Sequence, residues 1–209
     1  MNLPNALTLL RIFFVPLLVA ALVQQDLQIG WNGEVWLTHE YFALSVFLVA
    51  AATDLLDGYL ARKLQQVTTV GTLLDPIADK LLISAALISL VQVRLVPAWM
   101  VILLLGREFA VSGLRSIAAA EGYTIQASEL GKTKMVSQVI AISIVLVSIR
   151  WKDLTTLGML SMWAVMIFSM ASALDYFRKF WRKVDHKVKQ RRRRELLLLE
   201  RERKRSAAI

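Results

Sequence analysis

The chain has 209 residues, 56% of them hydrophobic, a formal net charge of +9 and no cysteine. Such an apolar composition exceeds that of an ordinary soluble domain and fits a helical protein that crosses a membrane several times. The lack of cysteine excludes a disulfide framework, a thiol nucleophile and a zinc–thiolate centre.

The opening residues 1–11 read as an interfacial segment, with Pro4 near a helix start and Arg11 breaking the apolar run. An uncharged run from Ile12 to Val23 predicts the first span; no small-residue cleavage site marks it as a removed signal peptide. Gln24 to Glu40 reads as an outer loop, because it holds two tryptophans and three acids but no Lys or Arg. The second span runs from about Tyr41 into Asp54 and Asp57. A basic inner connector follows around Arg62 to Val70, and the third span covers about Gly71 to Val93. Arg94 and Pro97 mark an outer turn, and the fourth span runs from Pro97 past Arg107. Ala119 to Lys134 is a polar inner connector. The fifth span is about Met135 to Ile149, and the sixth about Leu154 to Tyr176 after a short outer turn.

The expected fold is all-α: a polytopic membrane protein of six transmembrane helices with an N-terminal interfacial segment and a basic C-terminal tail. The expected division is a transmembrane domain at 1–180 and a cytoplasmic tail at 181–209. Arg178 to Arg205 holds 14 Lys or Arg against 4 Asp or Glu, so the positive charge belongs to the tail. Six spans and this charge put both termini on the cytoplasmic side of the inner membrane, with anionic lipid rather than nucleic acid as the tail's expected partner.

The stretch from Asp54 to Asp79 carries the chemistry. Tyr41 to Thr53 and Leu81 to Val93 are uncharged, so Asp54, Asp57, Asp75 and Asp79 are embedded in membrane-like sequence. By helical rise Asp54 lies roughly 20 Å from Tyr41, short of the ~30 Å of hydrocarbon a span must cross. Ionisable groups at that depth are costly and mark a functional site by default. Asp54 and Asp57 are i,i+3; Asp75 and Asp79 are i,i+4, and the small residues Gly58, Ala61 and Gly71 leave room for close approach. Four clustered acids need a counter-charge, which a hard divalent cation, Mg²⁺ or Mn²⁺, supplies together with a chelating phosphate. Arg107 and Lys134, by the same counting, face the cytoplasmic half of the membrane, and Arg115 and Lys132 follow in the inner region. Together they suit a second phosphate group, although positive charge in inner connectors also reads as a topology signal alone. Arg62 and Lys80 also read as plain partners of the acids, Glu108 as a neutraliser of Arg107, and Ser112 and Gly113 as helix-packing positions.

The pattern Asp54-x2-Asp57-Gly58-x2-Ala61-Arg62-x8-Gly71-x3-Asp75-x3-Asp79 resembles the signature of the CDP-alcohol phosphatidyltransferases. The opening MNLPNALTLLRIFFVPL and the segment GREFAVSGLRSIAAAEG from Gly106 resemble its phosphatidylglycerophosphate-forming members. The resemblance covers about residues 1–180. It implies a metal-dependent enzyme that moves the phosphatidyl group of CDP-diacylglycerol to glycerol 3-phosphate and releases CMP. Asp54, Asp57, Asp75 and Asp79 would hold two divalent ions, and Asp79 would act as general base. Gly58, Ala61, Arg62 and Gly71 would border CDP-diacylglycerol, while Arg107, Arg115, Lys132 and Lys134 would bind the acceptor phosphate. A homodimer is also implied. Other acceptors of the family (phosphatidylglycerol, inositol phosphate, serine) remain open. So do two other classes, a membrane transporter with an intramembrane cation site and a lipid-binding scaffold.

Overall fold

The computed structural model describes the backbone of residues 3–24, 28–31, 34–64, 69–122 and 129–206, and side chains over 6–24, 38–53, 77–122 and 134–184. Among these residues six α-helices dominate: α1 (Leu3–Val23), α2 (His39–Leu64), α3 (Thr69–Gln92), α4 (Ala98–Ala120), α5 (Glu129–Ser148) and α6 (Thr155–Ser206). Long uncharged runs satisfy their own backbone groups as helices, and the breaks fall where polar residues and prolines gather. Pro97, extended at φ −70° and ψ 138°, directly precedes α4. The turn before it is closed by Leu95 N–H donating to the Leu90 carbonyl at 2.9 Å, with Arg94 at φ 60°.

Two expectations need correction. The expected interfacial segment is not separate from the first span: from Leu3 its residues are the first turns of α1. Pro4 is tolerated there because a first-turn N–H has no helical partner. Thr8 and Arg11 are fully buried, so this end of the helix is drawn into the bundle. The outer loop at 24–40 also contains structure. Strands β1 (Gln28–Trp31) and β2 (Glu34–Thr38) pair antiparallel, Trp31 opposite Glu34, with a bulge between Ile29 and Gly30. Asn32-Gly33 between them is a strong two-residue hairpin signal in the sequence.

α1 packs on α2 and α3, α5 on α6 and on α2, and α4 on α6. One core runs through this bundle, with Leu18, Phe47, Leu87, Leu104, Ile142 and Met162 at or near zero exposure. A smaller one joins Val111 and Ala118 of α4 to Ala173, Tyr176 and Phe180 of α6. α4 and α6 run parallel: Trp99 meets Trp163 with centroids 5.4 Å apart and ring planes tilted by 59°, Arg107 reaches Ser169, and Ala118 packs near Phe180. At the Trp99 end of the bundle, Trp151 Nε1 donates to Tyr41 Oη at 3.2 Å, tying the α5–α6 turn to the start of α2.

The outer surface is apolar. Phe13, Ile102, Leu160, Ile167 and Leu174 are each more than 60% exposed. Among the described residues two stretches, Ala6–Val23 and Lys152–Val184, are long and apolar enough to cross a membrane. His39–Thr53 and Lys134–Ser148 are apolar but shorter. α6 has 52 residues, about 78 Å of helix, and passes residues 180 and 181 without a break.

α5 and α6 approach closely at Gly158, where an added Cβ would lie 3.2 Å from Val145 Cγ2 and 3.4 Å from Val145 Cα. Backbone cannot yield as a side chain does. Gly158→Leu is therefore expected to destabilise the fold by about 1–3 kcal/mol, the usual overpacking cost. Thermal unfolding of the detergent-solubilised protein checks this; an unchanged midpoint would mean the helices part freely here.

Candidate active site

A cavity of about 260 Å³ opens between α3, α4, α5 and α6. Asp79, Lys80, Arg107, Glu108, Arg115 and Lys134 supply its charge, and Ser84, Ser112, Gln138, Ser172 and Tyr176 its neutral polar groups. The volume is below the ~300–1,000 Å³ of sites for drug-sized ligands, so it suits a small polar molecule. Two acids against four cations leave a formal surplus of positive charge, which favours an anion.

Neighbours hold Lys134, Glu108 and Arg107. Lys134, at the cytoplasm-proximal part of α5 in the sequence reading, is almost fully buried, and its Nζ donates to Glu108 Oε2 at 2.6 Å. Glu108 therefore pairs across helices with Lys134 and does not serve merely to neutralise Arg107, its chain neighbour. Arg107 turns the other way: its Nε donates to the Ser169 carbonyl at 3.0 Å and its Nη2 to Ser172 Oγ at 3.3 Å. Two of five guanidinium N–H groups are thus spent on α6, fixing the plane while others remain for a ligand. Arg115 lies with Cζ 6.0 Å from the Tyr176 ring centroid, the outer limit of a cation–π contact. Asp79, on α3, is half-buried and lines the same cavity.

Of the predicted acceptor cations, Arg107, Arg115 and Lys134 thus meet in one cavity with Asp79. Lys132 belongs to α5, but its side chain lies outside the described residues. The same holds for Asp54, Asp57, Gly58, Ala61 and Arg62 on α2 and for Gly71 and Asp75 on α3. The backbone does put all four acids on two consecutive helices, at the i,i+3 and i,i+4 spacings that set each pair on one helix face. That all-oxygen donor set matches the chemistry of Mg²⁺ or Mn²⁺. Among the described residues no three acids or histidines form a metal cluster.

Some residues were read differently from sequence. Gly113 is exposed, and an added Cβ there would touch nothing within 4 Å, so it is not a close-packing position within this chain. Ser112 lines the cavity. Gln138, Ser172 and Tyr176 are functional candidates that the sequence reading missed. Their only signal was register: Gln138 is one turn beyond Lys134, and Tyr176 one turn beyond Ser172.

Residues 1–174 match the family model for CDP-alcohol phosphatidyltransferase. The chain is 44% identical over 186 residues to the CDP-diacylglycerol–glycerol-3-phosphate 3-phosphatidyltransferase of Bacillus subtilis (strain 168), covering 86% of this chain and 95% of that one. It is 33% identical over 180 residues to the enzyme of the same name from Rickettsia bellii (85% and 94% covered). It is 36% identical over 199 residues to that of Pseudomonas fluorescens (87% and 91%). With its acids on adjacent helices and its cations gathered across the cavity, this chain belongs to the CDP-alcohol phosphatidyltransferase family.

Proposed function

We propose that this protein transfers the phosphatidyl group of CDP-diacylglycerol to sn-glycerol 3-phosphate, forming phosphatidylglycerophosphate and CMP in phospholipid biosynthesis. Family membership and the shared name of relatives at 33–44% identity support the reaction, and set the transporter and scaffold readings aside. The observation that carries the acceptor is the cavity in which Arg107, Arg115 and Lys134 face Asp79. A phosphorylated acceptor needs fixed cations, and arginine's planar fork suits phosphate.

The acceptor phosphate binds Arg107, Arg115 and Lys134, and Lys132 of α5 is the fourth cation proposed for it. This holds the attacking hydroxyl near Asp79, so orientation supplies part of the rate. Asp79 takes the hydroxyl proton as its oxygen bonds to the phosphatidyl phosphorus; the pyrophosphate P–O bond breaks and CMP leaves. Asp54, Asp57, Asp75 and Asp79 would hold two Mg²⁺ or Mn²⁺ ions, whose role when bound is to offset charge on the pyrophosphate. Gly58, Ala61, Arg62 and Gly71 border the nucleotide lipid.

The protein resides in the inner membrane as six spans, with both termini and the cavity facing the cytoplasm. The apolar exterior and the basic run from Arg178 support this arrangement. The tail meets anionic lipid, and the enzyme acts as a homodimer.

The test is CMP release by purified protein with CDP-diacylglycerol and Mg²⁺, with and without glycerol 3-phosphate, beside Arg115→Ala. Release should depend on glycerol 3-phosphate. Arg115→Ala should raise its KM about 10–100-fold, the value of a charged hydrogen bond to phosphate, while the KM for CDP-diacylglycerol holds. Unchanged kinetics for the acceptor would remove Arg115 from the pocket.

A further inference from the structure

We infer that Lys80 is a further acceptor-binding residue, whose ammonium holds the phosphate of glycerol 3-phosphate from the α3 side of the cavity. This rests on reading the cavity as the acceptor site. From sequence Lys80 reads as a plain partner of the acids. In the structure it is half-buried and lines the cavity. Among the described residues no hydrogen bond or ion pair holds it.

The acids nearest in sequence are badly placed to pair with it. Adjacent helical residues point about 100° apart, so Lys80 and Asp79 do not face each other. Position 75 lies five residues back, about 140° round the helix. The positions that do neighbour Lys80 on α3, three and four residues away, are Ile77, Ile83, Pro76 and Ser84, none of them acidic. Across the cavity Glu108 is the other lining acid, and it already accepts from Lys134 at 2.6 Å. A half-buried ammonium on an apolar helix is costly unless an anion meets it. That anion is therefore a ligand's.

Position says which ligand. Ser84 follows Lys80 by one helical turn and also lines the cavity, so this stripe of α3 turns toward Arg107, Arg115 and Lys134. The face at positions 75 and 79, proposed to serve the pyrophosphate, is a different one. The other cations are also partly committed: Lys134 to Glu108, and two N–H groups of Arg107 to Ser169 and Ser172. Lys80 brings three donors, none engaged among the described residues. With it the acceptor phosphate is met from α3 as well as from α4 and α5.

The experiment measures kcat, the KM for each substrate and the inhibition constant of inorganic phosphate against glycerol 3-phosphate. It compares wild type, Lys80→Gln, Lys80→Arg and Arg115→Ala. Thermal unfolding confirms that each variant is folded. Lys80→Gln should raise the KM for glycerol 3-phosphate about 10–100-fold and weaken inhibition by inorganic phosphate in step, while the KM for CDP-diacylglycerol holds. Lys80→Arg keeps the charge and should recover most of that loss. An unchanged acceptor KM in Lys80→Gln, the result for a lysine that only reaches to the membrane surface, would overturn the inference. A loss confined to kcat would do the same, and so would a rise only in the KM for CDP-diacylglycerol, which would assign Lys80 to the pyrophosphate. If Arg115→Ala raises the acceptor KM and Lys80→Gln does not, the cavity keeps its acceptor role and only this inference falls. If neither variant raises it, the acceptor reading of the cavity falls and takes the inference with it.

Discussion

Asp79→Asn should lower turnover about 10²–10⁴-fold, the range set by removing a positioned general base. Asparagine keeps the shape of the side chain and its place on the cavity wall, so the protein should fold and still bind its nucleotide lipid. The loss should appear in kcat, with the KM for glycerol 3-phosphate nearly unchanged, because the proposed phosphate contacts are Arg107, Arg115 and Lys134 of the cavity rather than Asp79. Titrating Mg²⁺ in the variant separates two roles for the carboxylate. A base alone leaves the metal requirement where it was; a shared ligand raises the Mg²⁺ concentration for half-activation. Chelation with EDTA should abolish turnover in the wild type and restore it on adding Mg²⁺ or Mn²⁺. Full activity in Asp79→Asn would remove Asp79 from the chemistry.

Lys134→Met should cost about 10²–10³-fold in kcat/KM, comparable to deleting one preorganised electrostatic contact. It should also destabilise the protein by about 1–3 kcal/mol. Lys134 is almost wholly buried and forms a 2.6 Å ion pair with Glu108, so methionine leaves that carboxylate without its partner. The full cost of breaking a buried pair does not apply, because a quarter of the Glu108 side chain is exposed. Adding Glu108→Gln in the same chain should recover much of the stability and none of the activity. Thermal unfolding and initial rates on the two single variants and the double variant test this. If activity returns with stability, Lys134 serves only to hold the fold.

Much of this architecture was readable because charge and proline punctuate an apolar chain. The predicted third span ended at Val93 and α3 ends at Gln92; the fourth was to begin at Pro97 and α4 begins at Ala98. Counting helical rise brought Arg107, Lys134 and the acids to one depth, and the cavity does join Arg107 and Lys134 to Asp79. By the same helical rise Arg11, on α1, falls at a similar depth, yet it is fully buried and does not line the cavity. Depth fixes only one coordinate; which side of a helix meets which neighbour depends on packing. The same limit hid Tyr176 and Gln138, which are ordinary members of apolar helices until α4, α5 and α6 are set side by side. The hairpin at 28–38 has its sequence signal in Asn32-Gly33, but the surrounding tryptophans and acids fit an interfacial loop equally well. The tail's helical state was not legible either, since dense charge carries no apolar period.

The parallel pairing of α4 with α6 has a consequence for the order in which the enzyme is built. The helices that carry the four acids leave the ribosome early, whereas Ser169, Ser172 and Tyr176 emerge roughly 100 residues later, about 5–20 s at ordinary elongation rates. During that interval Arg107 lacks the carbonyl and the hydroxyl that fix it, and the cavity lacks its fourth wall. A nascent chain thus carries its four acids well before the cavity is closed, and under the proposed mechanism activity begins only when the last helix docks.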